Sequence, residues 1–192
     1  MNICLYGASS DAIAPDYITA TEALGEHLAR HGHSLVYGGG GAGLMGAAAR
    51  GMSRGGGHIV GVVPSFLRVD GILYDRCDEM VYTDTMRERK QVMEERADAF
   101  IVTPGGIGTY EEFFEIYTLK QLGRHGKPIV IYNIGGYYDQ LLAMLEHTVA
   151  QGFMRPASLG LYMVAENPSQ ALAQLCAECE TADIRHTKFV KE

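Results

Sequence analysis

Basic residues are in deficit: 16 Lys and Arg against 23 Asp and Glu leave a net charge of −7. A surface of that sign repels a nucleic-acid backbone, so no nucleic-acid partner is expected, although a local pocket has room for one nucleotide. Cysteine is scarce and scattered, at Cys4, Cys77, Cys176 and Cys179. The last two form a C-x-x-C inside an expected helix, 171–180, without a second pair; a zinc site needs four ligands, so no metal is expected. No 18-residue apolar run and no signal-peptide pattern is present, so the expected setting is the reducing cytoplasm, with no membrane partner. Internal repeats, low-complexity blocks and linkers are missing too. The 192 residues read as one domain, 1–180, followed by a polar tail, 181–192.

What the chain does have is glycine in special places. Thr103-Pro104-Gly105-Gly106-Ile107-Gly108-Thr109-Tyr110-Glu111-Glu112 lies between a strand-like segment, 99–102, and an amphipathic run carrying Phe113, Phe114, Ile116, Tyr117, Leu119 and Leu122. Glycines between a strand and a helix let backbone approach a ligand, and free N–H groups at a helix start attract an anion. Glu111 and Glu112 are expected in the first turn of that helix. There they either complement its dipole or form the rim of a site.

Taken in order, 2–6 reads as a strand opening into Gly7-Ala8-Ser9-Ser10, and 15–30 as a helix stopped at Gly32. A second strand, 34–37, leads into another glycine loop, 38–46, and a helix, 44–54. Gly41, Gly43 and Gly46 form a G-x-G-x-x-G. It follows the second strand rather than the first, and the nearest acid for a ribose is Asp70, so close approach to phosphate or ribose is the preferred use of these glycines over dinucleotide binding. Strands are expected at 58–63, 78–83, 128–132 and 161–165. Helices are expected at 85–96 and 137–151, with a last one starting at Pro168. In the 85–96 helix Met86, Lys90 and Met93 share a face with Arg89 beside it, while Arg87, Glu94 and Arg96 read as solvated. About seven strands alternating with helices make an α/β protein with a doubly wound parallel sheet. Ligands of such sheets bind at the carboxyl ends of the strands, where both glycine loops, Ser9-Ser10 and Arg89 can meet.

These residues carry a resemblance. Pro104-Gly-Gly-Ile-Gly-Thr-Tyr-Glu-Glu112 is similar to the P-G-G-x-G-T-x-x-E motif of the LOG (Lonely Guy) family, cytokinin riboside 5′-monophosphate phosphoribohydrolases long mislabelled as lysine decarboxylases. Tyr37 to Gly46 resembles the family's Y-G-G-G-x-x-G-L-M-G, and Met86-Arg-Glu-Arg-Lys90 its M-H-x-R-K, with Arg87 where histidine is usual. The resemblance implies a single-domain Rossmann-like fold, a homodimer whose partner lines the pocket, and no cofactor. It implies Arg89 and Glu112 as catalytic residues. As nucleotide contacts it implies Lys90, Gly105, Gly106, Ile107, Gly108, Thr109, Tyr110, Glu111 and Thr118; Ser9, Gly39, Gly40, Gly43 and Met45 are added from the first two loops.

The implied reaction is hydrolysis of the N-glycosidic bond of a nucleoside 5′-monophosphate. A carboxylate such as Glu112 would stabilise an oxocarbenium-like sugar and activate water, and Arg89 would orient that carboxylate or counter charge on the leaving base. The phosphate would sit on the amides of Gly105, Gly106, Gly108 and Thr109. Met93, Met45 and residues near Phe66 are the expected lining of the base pocket. Three alternatives remain. A general purine monophosphate hydrolase differs only in its base pocket. A nucleotide or cofactor carrier would not need a carboxylate beside its anion. A lysine decarboxylase needs a cofactor-bearing lysine, whereas Lys120 and Lys127 read as solvated.

Overall fold

The computed structural model describes residues 1–68 and 71–189, with side chains through Cys179. Asp70 and positions 190–192 of the expected tail lie outside the described residues. The strands are β1 (Asn2–Tyr6), β2 (Ser34–Tyr37), β3 (Ile59–Pro64), β4 (Glu79–Thr83), β5 (Ala99–Val102), β6 (Ile129–Tyr132) and β7 (Met163–Ala165). The helices are α1 (Pro15–Arg30), α2 (Gly43–Arg54), α3 (Met86–Arg96), α4 (Ile107–Gln121), α5 (Asp139–Ala150) and α6 (Pro168–Phe189).

The strands are short and rich in Val, Ile and Leu, and β3, β5 and β6 are buried end to end, as strands covered on both faces must be. They pair in parallel in the order β4-β3-β2-β1-β5-β6-β7. Alternation along each strand supplies two cores. Ile3 and Leu5 of β1 pack with α1, α2 and α6, whereas Cys4 and Tyr6 pack with α3, α4 and α5. From β1 the chain builds outward to β4, then returns to place β5 on the other side of β1. That reversal opens a crevice at the carboxyl ends of β1, β2 and β5.

On one face α1 and α2 approach until backbone meets backbone. A Cβ on Gly25 would lie 2.3 Å from the Ala48 carbonyl oxygen, and one on Gly51 2.1 Å from that of Glu22. Beside this crossing Glu22 accepts from Arg50 Nε at 2.7 Å and from Arg54 Nη2 at 3.0 Å.

The doubly wound parallel sheet agrees with the sequence; several boundaries do not. Asp78 is not the start of β4, because its carboxylate accepts the Ile59 N–H at 2.8 Å. The segment before β7 forms a 3₁₀ turn, Pro156–Leu161, with proline in its first position, so the strand starts at Met163 and not Leu161. A further 3₁₀ turn at Ile134–Gly136 delays α5 to Asp139. With no glycine or proline after Pro168 to stop it, α6 continues to Phe189, through most of what read as a polar tail.

Candidate active site

The loop after β5 is fixed through its carbonyls. The Thr103 carbonyl accepts from Tyr138 Oη at 2.7 Å, the Pro104 carbonyl from the Ala8 N–H at 3.0 Å, and the Gly105 carbonyl from Tyr137 Oη at 2.7 Å. Thr103 itself donates through both N–H and Oγ1 to the Tyr6 carbonyl, each at 2.9 Å. A planar trans peptide points its N–H opposite its carbonyl, so carbonyls drawn inward leave the amides facing outward. Helix α4 then starts at Ile107 with Gly106 as N-cap. Among the described residues no protein acceptor takes the N–H groups of Gly106, Ile107, Gly108 or Thr109. A Cβ added at Gly106 or Gly108 would meet nothing within 4 Å, so the space above these amides is open. Open amides with the α4 dipole behind them can hold an anion.

Starting α4 at Ile107 corrects one expectation. Glu111 and Glu112 fall in the second turn, and the first turn carries no acid. About 7.5 Å of helix rise separates Ile107 from Glu112.

The second glycine loop differs in use. At its α2 end the amides are consumed within the protein: Gly43 N–H by Asp11 Oδ1 at 2.7 Å and Leu44 by the Ala8 carbonyl at 2.8 Å, with Gly41 ahead of them held by the Ile72 carbonyl at 2.8 Å. The expectation of phosphate on Gly43 is therefore replaced by packing. Its φ of 60° and a hypothetical Cβ 2.4 Å from the Ala8 carbonyl oxygen make glycine necessary there. Gly39 likewise sits with φ 74° against Val63. The loop also holds a strap above the crevice, through a Gly40–Leu73 bridge and the Tyr74 N–H on the Gly39 carbonyl at 2.9 Å.

Beneath that strap lies a cavity of about 280 Å³, lined by Ser9, Gly38, Gly40, Ala42, Met45, Val63, Leu67, Ile72, Leu73, Met86 and Arg89. Most of this lining is apolar, with one cation at its edge. Arg89 and Met93, one turn apart, are the buried residues of α3. Arg89 donates Nε to the Val62 carbonyl at 3.1 Å and Nη1 to Glu112 Oε1 at 3.1 Å. Gly38 makes room for it, since a Cβ there would lie 2.1 Å from Nη2. Both side chains of the pair are nearly covered, at 8% and 13% exposure. Burial pushes the Glu112 carboxyl above its ordinary value, against the opposing pull of Arg89. A buried carboxylate, oriented by a guanidinium and ready to take a proton, is the chemistry of a general base or cation stabiliser.

Residues 45–175 match the protein family described as "Possible lysine decarboxylase". A cytokinin riboside 5′-monophosphate phosphoribohydrolase of Arabidopsis thaliana, LOG7, is 39% identical over 173 residues, covering 90% of this chain and 80% of that protein. LOG2 of the same plant is 38% identical over 190 residues, covering 99% and 87%. The chain belongs to the LOG family. Among solved structures, a molybdenum cofactor carrier protein from Chlamydomonas reinhardtii superposes with a TM-score of 0.71, covering 92% of this chain and 96% of that one. At 23% identity that is a likeness of fold alone.

Within this LOG-family chain, other expected site residues take varied places. Lys90 is committed to Glu111 and, at 2.8 Å, to Glu115. Burial works against its charge, but those carboxylates outweigh it and hold the ammonium above its ordinary value. Thr109 is buried, while Ile107 is 84% exposed. Tyr110 packs edge-on against Tyr138, with ring centroids 6.0 Å apart. Thr118 is exposed, about 9 Å of helix rise beyond Glu112. Arg87 is exposed on the first turn of α3. Met93 is fully buried in the core and does not line the cavity, and of the residues near Phe66 it is Leu67 that does.

Lys120 and Lys127, expected in solvent, are instead bonded to Glu178 at 2.7 Å and to the Glu94 carbonyl at 2.6 Å. Among the described residues no lysine lines the cavity, so its donor set does not fit a pyridoxal cofactor. Among those residues, too, no group of three His, Cys, Asp or Glu is placed to hold a metal, and no helix is long and apolar enough to cross a membrane. Sequence reasoning missed Gly38, Asp11, Tyr137 and Tyr138. The Gly135-Gly136 pair ahead of the two tyrosines was the available signal.

Proposed function

We propose that the chain hydrolyses the N-glycosidic bond of cytokinin riboside 5′-monophosphates, with AMP as a poorer substrate, releasing the free base and ribose 5-phosphate. The observation that carries this reading is the buried Arg89–Glu112 pair between an apolar cavity and the open amides of α4. The 5′-phosphate takes the N–H groups of Gly106 to Thr109, the base enters the cavity, and the ribose lies beside Glu112. There the carboxylate stabilises the oxocarbenium-like sugar and takes a proton from the attacking water. Arg89 orients the carboxylate by the observed charge-assisted bond.

The names of the plant relatives support the substrate class. The lining of Met45, Leu67, Ile72, Leu73 and Met86 favours an N6-prenyl group over bare adenine. Because the amides of Gly43 to Gly46 are already used, the start of α2 offers a second phosphate no cradle comparable to that of α4, which favours a monophosphate over a dinucleotide. Cytoplasmic location and a homodimer belong to the same reading; sedimentation of the purified chain tests the second.

The deciding experiment is base release, followed by chromatography, from isopentenyladenosine monophosphate, AMP and unphosphorylated isopentenyladenosine, with wild type and Glu112→Gln. Release from the monophosphates that vanishes in the variant supports the reading. A folded wild type that releases no base from any of the three overturns it.

A further inference from the structure

The turn between β6 and α5 presents two adjacent tyrosines to one loop. Gly135 and Gly136, at φ 59° and 74°, fold the 3₁₀ turn, and Asn133 Oδ1 holds the Tyr138 N–H at 2.7 Å. The two hydroxyls donate over equal distances, 2.7 Å each, yet they act on different peptide planes. Tyr138 holds the carbonyl of Thr103, and the plane beyond it ends at Pro104, which has no N–H to aim. Tyr137 holds the carbonyl of Gly105, and the opposite end of that plane is the Gly106 N–H, the N-cap amide of α4. The intervening plane, from Pro104 to Gly105, is held by the backbone of Ala8. Tyr137 is thus the one side chain among the described residues whose hydrogen bond sets the direction of an amide in this cradle. Glycines on both sides of that plane leave it no side chain to resist rotation.

We propose that Tyr137 is a positioning residue for phosphate: by holding the Gly105 carbonyl it keeps the Gly106 N–H turned to the anion. This rests on the phosphate placement given above and goes beyond it by assigning a residue outside both glycine loops. The side chain is 37% exposed, and its ring packs edge-on against Tyr17 and Tyr138 at centroid separations of 6.0 and 5.0 Å. Tyr137→Phe keeps those ring contacts and removes only the hydroxyl. Tyr138, at 1% exposure, donates a bond of the same length to the same loop and serves as the control.

The test is calorimetric titration of inorganic phosphate into the full-length wild type and Tyr137→Phe, alongside KM and kcat for isopentenyladenosine monophosphate. The expected result is a phosphate Kd and a KM that both rise roughly fivefold, the scale of one neutral hydrogen bond. Expected with it is a kcat within about twofold. Tyr138→Phe, when folded, is expected to lower Tm while leaving the phosphate Kd in place. An unchanged phosphate Kd in Tyr137→Phe overturns the proposal, as does a wild type that binds no phosphate or an equal loss of phosphate affinity in Tyr138→Phe. Weaker phosphate binding in Tyr137→Phe, in a protein that releases no base, upholds this inference and rejects the hydrolase reading. Base release with an unchanged phosphate Kd does the reverse.

Discussion

Arg89 Nη1 lies 3.1 Å from Glu112 Oε1, and the residues next to each, Lys90 and Glu111, also pair. Consecutive cations on α3 therefore meet consecutive acids on α4, one pair covered and one at the surface. Arg89 of the covered pair lines the cavity and has one further partner, the Val62 carbonyl, while Lys90 is shared with Glu115. The same sequence pattern, two adjacent charges on each helix, gives one pair suited to chemistry and one that ties the helices together.

Removing either member of the covered pair should cost catalysis far more than folding. For Glu112→Gln and Arg89→Lys the expected loss in kcat is about 10²–10⁴, the range of acid–base and oriented-carboxylate effects. Lys90→Gln removes two ion pairs at the edge of solvent, to Glu111 and Glu115, and should cost about 1 kcal/mol of stability or less. Steady-state base release and urea unfolding of the three variants check this; a Lys90→Gln defect as large as that of Glu112→Gln would contradict it.

The raised pKa of Glu112 fixes two signs. The carboxylate is the active form, so kcat should fall as pH drops through a value above the ordinary glutamate range. Between the ordinary value and that raised one the folded state binds more protons than the unfolded state. Stability therefore declines as pH rises through that window, and ionised Glu112 is a net cost at neutral pH. The stability of wild type relative to Glu112→Gln, which cannot titrate, should consequently fall as pH rises through that window, while the variant loses activity. Urea unfolding of both proteins across that pH range, set beside the pH–rate profile, measures both; a relative stability that rises with pH would overturn the sign.

The sheet, its strand number and the crevice at its carboxyl ends were legible because apolar four- to six-residue runs alternate with helical periods, which is local information. The start of α4 at Ile107 was not, because Gly106 and Gly108 are poor helix formers and it takes the clamped carbonyls of Thr103 to Gly105 to begin the helix there. Of the two glycine loops, sequence could not tell which leaves its amides open. That depends on Asp11, Ala8 and Ile72 reaching Gly41 to Met45 from separate parts of the chain. Met93 was misplaced for a similar reason: helical spacing puts it on one face with Met86 and Lys90, beside Arg89, and only packing shows that Met93 itself is turned to the core.

The two loops should respond oppositely to alanine. At Gly43, φ of 60° and the Ala8 carbonyl 2.4 Å from a Cβ predict a loss of roughly 1–3 kcal/mol on Gly43→Ala. At Gly108 a Cβ meets nothing within the protein and the residue is helical, so Gly108→Ala should gain up to about 1 kcal/mol of stability. The added methyl nevertheless enters the space assigned to phosphate, and KM for the monophosphate should rise. Urea midpoints and KM values for both variants test the contrast. A Gly108→Ala protein with wild-type KM would move the phosphate elsewhere.

His125 supplies a pH dependence away from the site. Its Nδ1 accepts the Lys127 N–H at 3.2 Å, which leaves Nε2 as the donor to the Ile116 carbonyl at 2.8 Å. The ring is therefore neutral in the folded turn after α4. Burial lowers its pKa, the Ile116 bond opposes that, and the charges of Lys120 and Lys127 add to the lowering. A proton on Nδ1 would face the Lys127 N–H, so the unfolded chain takes protons more readily as pH falls below the ordinary histidine value near 6.5. With more protons on the unfolded state, stability is lost on acidification through the window between that value and the lowered one, and is level above it as far as this group is concerned. His125→Gln keeps a donor for Ile116 and cannot titrate. Its stability deficit relative to wild type, measured by urea unfolding at pH 8 and again at pH 5.5, should shrink at the lower pH. A deficit that is constant or grows would show that His125 is not held neutral.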